Sequence, residues 1–119
     1  MADKAADKER REHIRITEPA IGMMIGKKTY TSINWSLGGA LIDDYKGELT
    51  PGSLFTISEL GSAKGKLTKV SVQARVIRLD EKPKILAINF LEIDNQAYAI
   101  LQTMLAKKME AMKNAAETN

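Results

Sequence analysis

Three arginines near the N-terminus are the side chains of this sequence best suited to binding an anion. Arg11 and Arg15 are spaced Arg-x-x-x-Arg, and Arg10 directly precedes them. A guanidinium is planar and permanently charged, so it can grip two phosphate oxygens, bond to the O6 and N7 acceptors of guanine, or stack on a purine. Taken alone, a solvated charge run is the simpler explanation of these residues.

A second polar pattern, Asn34-x-Ser36-x-x-Gly39, follows about twenty residues later. Because side chains alternate across a strand, Asn34 and Ser36 are predicted to share one face, opposite Ile33 and Trp35, and to exchange hydrogen bonds with a base edge. Gly39 lacks a Cβ, which permits a sharp turn or the close approach of a ligand. By itself, the pattern also fits an ordinary polar strand that ends in a glycine turn, which is the simpler interpretation.

The sequence offers little for catalysis. It contains one histidine, His13, in a polar segment, no cysteine, and no glycine-rich phosphate loop. Asp43 and Asp44 are adjacent, so on a strand they would point to opposite faces, and a surface turn explains them better. We therefore predict a protein that is not an enzyme and that holds no metal and no cofactor.

Composition and charge define the segments that must position these residues. Residues 1–13 are rich in charge, with Met and Ala as the main apolar residues, so they cannot bury enough surface to offset the entropy of ordering. We predict a flexible arm over residues 1–13, a β-barrel over 14–93, and a C-terminal amphipathic helix and tail over 94–119.

Alternation and turn residues indicate short strands in the middle of the chain. The clearest is 70–78, in which Val70, Val72, Ala74 and Val76 fall on one face. A first hairpin is predicted around Gly26, a turn at Thr50-Pro51-Gly52, and a return strand over 85–90. The fold class predicted is mainly β.

The C-terminal segment has helical periodicity. Asp94 is suited to cap its N-terminus, and apolar residues follow at spacings of three and four: Tyr98, Leu101, Leu105, Met109 and Met112. This stripe must pack over an open end of the barrel or against another copy of the chain. Beyond Lys107 the helix could project and form a homodimer.

Chain length, net charge and the length of the apolar runs narrow the range of protein classes further. The chain has 119 residues, enough for one domain, and a net charge of +3, which is only mildly basic. Apolar runs are far shorter than a membrane-spanning helix requires. The first residues carry charges where a secretion signal would be apolar, so a cytoplasmic location is expected.

Together the two polar patterns resemble the PilZ domain family. Residues 9–15, Glu-Arg-Arg-Glu-His-Ile-Arg, and 34–42, Asn-Trp-Ser-Leu-Gly-Gly-Ala-Leu-Ile, are similar to the family's RxxxR and D/N-x-S-x-x-G motifs, in the same order and separation. The resemblance covers roughly residues 9–105 and includes the turn at 50–52 and the strands at 70–78 and 87–90.

The resemblance implies a six-stranded antiparallel β-barrel with a C-terminal α-helix that serves bacteria as a receptor for cyclic di-GMP. It implies that Arg11 and Arg15 grip the phosphates and guanine edges, that Asn34 and Ser36 bond to a guanine, and that Gly39 gives it room. The resemblance also implies that the residue at position 10 influences whether one ligand or a stacked pair binds, and a long cation such as Arg10 is compatible with the pair. Glu12 stands where some relatives carry a third arginine, which would weaken binding.

Other functions remain open from the sequence. A PilZ-like adaptor could act through protein contacts without the nucleotide, using the Met-rich helix. A nucleic-acid-binding barrel would use Lys64, Lys66 and Lys69, but exposed aromatic residues for stacking are few. For a cyclic di-GMP receptor, an unidentified protein effector must carry the output, either as a separate partner or through self-association.

Overall fold

A computed structural model describes the backbone of residues 15–117 and the side chains of residues 15–113. These residues form strands followed by a helix: β1 (Ile21–Ile25), β2 (Lys28–Ser36), β3 (Gly39–Ile42), β4 (Leu54–Ser62), β5 (Thr68–Glu81), β6 (Lys84–Ile93) and α1 (Asn95–Glu117). The predicted arm over residues 1–13 lies outside the described residues.

The strands close into a barrel in the order β1-β2-β3-β6-β5-β4, and every pair is antiparallel. Most neighbours in the barrel are also neighbours in sequence, which is expected of hairpins with short turns. Two pairings join distant segments: β1 with β4, and β3 with β6. The mainly β, six-stranded antiparallel barrel with a C-terminal helix is therefore confirmed.

The barrel interior holds the apolar side chains that alternation predicted. Val72, Ala74 and Val76 of β5 are buried, Val70 near the start of the strand is half-buried, and the polar residues between them are exposed. Trp35 and Ile57 are fully buried in the same core. The hairpin predicted around Gly26 is also confirmed, with Gly26 at φ 63°, a backbone conformation that favours glycine.

The alternation of β2 departs from the prediction at Ile33. Tyr30 and Ser32 are buried before this residue and Trp35 after it, so the inward face changes from even to odd numbers. The register between β2 and β3 shifts between Ser32 and Asn34, which marks a β-bulge that adds one residue to the strand. Ile33 is therefore only half-buried and does not share the fully buried position of Trp35.

Helix α1 begins as predicted and packs against β4 and β5. Asp94 caps it: Oδ1 accepts from the Ala97 amide at 2.8 Å, and Oδ2 accepts from the Ser71 amide at 2.8 Å, which ties the helix start to β5. The predicted stripe is wrong at Tyr98, which is 50% exposed, because Ala97 takes the inward position beside Leu101. Within the described residues, no helix is long and apolar enough to cross a membrane.

Candidate ligand-binding site

Residues 15–19, here called the strap, lie along the end of β2. Ile16 and Trp35 exchange two backbone hydrogen bonds, of 2.7 and 3.0 Å, and both side chains are buried. The Trp35 indole Nε1 donates to the Pro19 carbonyl oxygen at 2.7 Å. The barrel core therefore holds the strap at two points, because the same tryptophan that fills the interior also bonds to it.

The strap places Arg15, the second arginine of the Arg-x-x-x-Arg pattern, in contact with Asn34, the first residue of the Asn-x-Ser-x-x-Gly pattern. Arg15 Nη1 donates to Asn34 Oδ1 at 2.8 Å. A guanidinium carries five N–H donors, so this contact orients the group while using only one of them. Arg15 is exposed and Asn34 is half-buried, which places a cation and an amide side by side at the barrel surface.

Ser36 and Gly39 both contribute to the backbone structure at this site. Ser36 is 3% exposed, and its Oγ accepts a hydrogen bond from the Gly38 amide at 3.1 Å, which stabilises the turn between β2 and β3. A Cβ on Gly39 would lie 2.2 Å from the Ile88 carbonyl oxygen. The close approach of β6 therefore requires glycine whether or not a ligand is bound, and the predicted room for a guanine stays a prediction.

The structure describes some of the remaining candidate residues and not others. Arg10, Arg11 and His13 lie outside the described residues. Asp43 and Asp44 are both exposed, and Asp44 forms an ion pair with Lys46 at 3.6 Å, which supports the surface-turn interpretation. Among the described residues there is no group of three or more His, Cys, Asp or Glu side chains that could hold a metal ion.

A cleft of about 390 Å³ separates the strap from the second half of α1. Its lining includes Arg15 and Glu18 from the strap, and Lys108, Met109 and Met112 from the helix. The two methionines are 48% and 56% exposed, so the helix extends its apolar stripe beyond the barrel. Their spacing predicted this stripe, but nothing local in the sequence indicated that it faces Arg15.

The sequence matches the PilZ domain family over residues 9–107, and the chain belongs to that family. The match includes both polar patterns and all the barrel strands. Comparison with curated proteins found no match.

Solved structures agree on the fold. The structure of Bacillus subtilis Inhibitor of motility (MotI/DgrA) is 18% identical at a TM-score of 0.61, with 85% of this chain and 52% of that chain covered. Escherichia coli YcgR in complex with c-di-GMP is 19% identical at a TM-score of 0.59, with 92% and 51% covered. The PilZ domain of E. coli YcgR with c-di-GMP is 20% identical at a TM-score of 0.57, with 90% and 98% covered. This chain thus spans about half the length of the first two proteins and nearly all of the isolated domain.

Proposed function

We propose that this chain is a cyclic di-GMP receptor that binds the dinucleotide without catalysing a reaction. The observation that carries the proposal is the 2.8 Å hydrogen bond from Arg15 to Asn34, which joins the two motif segments at one surface. Membership of the PilZ family and the likeness to the YcgR domain solved with c-di-GMP support the choice of ligand.

The proposed contacts follow from the chemistry of the ligand. Arg11 and Arg15 would neutralise the phosphodiester charges and bond to guanine acceptors, and Arg10 would favour a stacked pair of ligands. Asn34 offers both a donor and an acceptor to a guanine edge. Ser36 and Gly39 would shape the turn beneath the base, since the Ser36 hydroxyl already holds the Gly38 amide.

Loss of Arg15 is expected to weaken binding of cyclic di-GMP by about ten- to hundred-fold, because a hydrogen bond to a charged group contributes roughly 1.5–3 kcal/mol. The measurement is calorimetric titration of the full chain and of Arg15→Ala, with GTP and cyclic di-AMP as control ligands. Lys27→Ala, which removes an exposed charge at the β1–β2 turn, is the matched variant and should bind as the wild type does.

Selective binding that Arg15→Ala weakens and Lys27→Ala does not would support the receptor. No heat and no competition with the wild type would contradict it and would make the ligand-free PilZ-like adaptor the leading explanation. The same titration gives stoichiometry, and a ratio of one ligand to one chain would exclude the stacked pair.

We further propose that the signal is an ordering of the N-terminal arm, read by an unidentified effector protein in the cytoplasm. The supporting observation is that the arm joins the strap at Arg15, where Ile16 is already anchored to Trp35. A ligand held by Arg11 and Arg15 would draw the arm across the barrel, which is a disorder-to-order switch. Homodimer formation through the end of α1 stays a prediction.

Amide hydrogen exchange tests this mechanism. We expect saturating cyclic di-GMP to slow the exchange of residues 9–16 by about ten-fold or more, while the amides of the β5–β6 turn keep their rates. Unchanged exchange in residues 9–16, under conditions where calorimetry shows full occupancy, would contradict the proposed ordering of the arm. It would not contradict the proposed binding site.

A further inference from the structure

The second half of α1 carries an apolar stripe that the barrel does not cover. Among the described residues, Leu105 is the last of the helix to pack against the barrel core, and from there the helix extends about 18 Å to Glu117. Met109 and Met112 continue the stripe at spacings of four and three, and they are 48% and 56% exposed. Because helices in proteins are stabilised mainly by packing of an apolar face, this half of α1 is expected to pack against a further surface.

The strap lies opposite this stripe, across the cleft of about 390 Å³. Ile16 and Leu105 line the cleft together with the two methionines. Its volume has room for a few large side chains, in the way that the side chains of one helix fill the spaces between those of another. A helix with an apolar stripe of its own fits such a surface, and α1 of a second copy of the chain presents that stripe.

Charged side chains on the strap and on the helix are complementary to one another. The strap carries Arg15 and Glu18, and one flank of the helix stripe carries Glu110 and Lys113. All four side chains are exposed, and Arg15 donates only one of its N–H groups to Asn34, which leaves others for a further acceptor. The two pairs carry opposite charges in matching order, so the helix of one copy complements the strap of another.

We infer that α1 of a second copy packs across the cleft, so that two chains form a twofold homodimer in which each helix lies on the partner's strap. A twofold interface must complement itself, because every contact occurs twice with the copies exchanged. Glu110 of each copy pairs with Arg15 of the other. Lys113 of each copy pairs with Glu18 of the other. A nucleic acid or a strongly acidic protein fits less well, since it would meet Glu18 and Glu110 as like charges. The inference goes beyond the proposed receptor function and does not depend on it.

Sedimentation velocity of the full chain without nucleotide, over a range of concentrations, tests the interface. We expect a monomer–dimer equilibrium in the wild type. Met112→Glu places a charge in the apolar stripe and is expected to raise the dimer dissociation constant by about ten-fold or more. Ala111→Glu introduces the same charge at the neighbouring exposed position, on a different face of the helix, and should change the constant less than about two-fold. Thermal unfolding of each variant checks that the barrel is intact.

An exchange of charges tests the contact between helix and strap. Glu18→Lys and Lys113→Glu each place like charges in both halves of the twofold contact, so each variant alone is expected to dimerise about ten-fold more weakly than the wild type. An equal mixture of the two variants restores both opposite-charge pairs, and a heterodimer of near wild-type affinity should form. An ion pair within one chain cannot produce this recovery, because mixing does not change it.

A wild type that stays monomeric at every concentration overturns the inference, and this is the result expected if the chain's own residues 9–14 occupy the cleft. A Met112→Glu variant that dimerises as strongly as the wild type also overturns it, since the contact then lies elsewhere. Loss of the dimer in Met112→Glu without recovery in the mixture would show that the stripes pair without the strap, which overturns the cleft interface. Since no nucleotide is present, none of these results bears on the proposed receptor function.

Discussion

Trp35→Ala is expected to reduce the free energy of unfolding by about 3–5 kcal/mol, the usual cost of deleting a fully buried large aromatic side chain. Trp35 has no exposed surface, and its indole N–H is bonded to the Pro19 carbonyl oxygen at 2.7 Å. The variant loses both the packing and this bond, and a small domain has only about 5–15 kcal/mol of stability in total. We expect a barrel that is marginal or unfolded at 37 °C.

Urea unfolding followed by circular dichroism measures this change, since Trp35 is the only tryptophan of the chain and its fluorescence is lost in the variant. Tyr98→Ala is the matched control, because Tyr98 is also aromatic but half-exposed, and it should cost less than about 1 kcal/mol. Equal effects of the two substitutions would contradict the role given to Trp35.

Trp35→Phe tests the link between Trp35 and the proposed ligand site. It keeps a ring in the core and removes the N–H that holds the strap, so it should cost less stability than Trp35→Ala. Because the strap carries Arg15, this variant is also expected to bind cyclic di-GMP more weakly while still folded.

Gly39→Ala is the second large expected effect, a loss of about 2–3 kcal/mol, in the upper part of the range for overpacking. The added methyl group would lie 2.2 Å from the Ile88 carbonyl oxygen and 3.2 Å from Asn89 Cα, and both are backbone atoms that cannot rotate away. β3 and β6 must separate, which weakens a pairing that closes the barrel.

Gly65→Ala provides the control for this substitution. The nearest atom to its added methyl group is Ser62 Cβ at 3.7 Å, an ordinary contact, so its stability should change by less than about 0.5 kcal/mol. Chemical denaturation of both variants and calorimetry with cyclic di-GMP distinguish two reasons for glycine. A Gly39→Ala protein as stable as the wild type but unable to bind ligand would show that the ligand, and not β6, requires it.

Local patterns in the sequence predicted much of the fold. The period of two in β5 placed Val72, Ala74 and Val76 inward, and Asp94 marked the helix start, because both signals depend on residues close together in the chain. The motif patterns selected Arg15 and Asn34 from the sequence, and the structure brings these two side chains into contact.

The tertiary structure decided which segments meet. The pairing of β3 with β6 joins Gly39 to Asn89 across some fifty residues, and no local periodicity specifies that partner or its register. The bulge at Ile33 and the inward position of Ala97 in place of Tyr98 likewise depend on packing against other strands. The amino-acid sequence alone therefore determined the strands, the helix start and two motif segments. Only closure of the barrel placed the Gly39 turn against β6, because cross-strand neighbours are set by long-range hydrogen bonding and not by spacing along the chain.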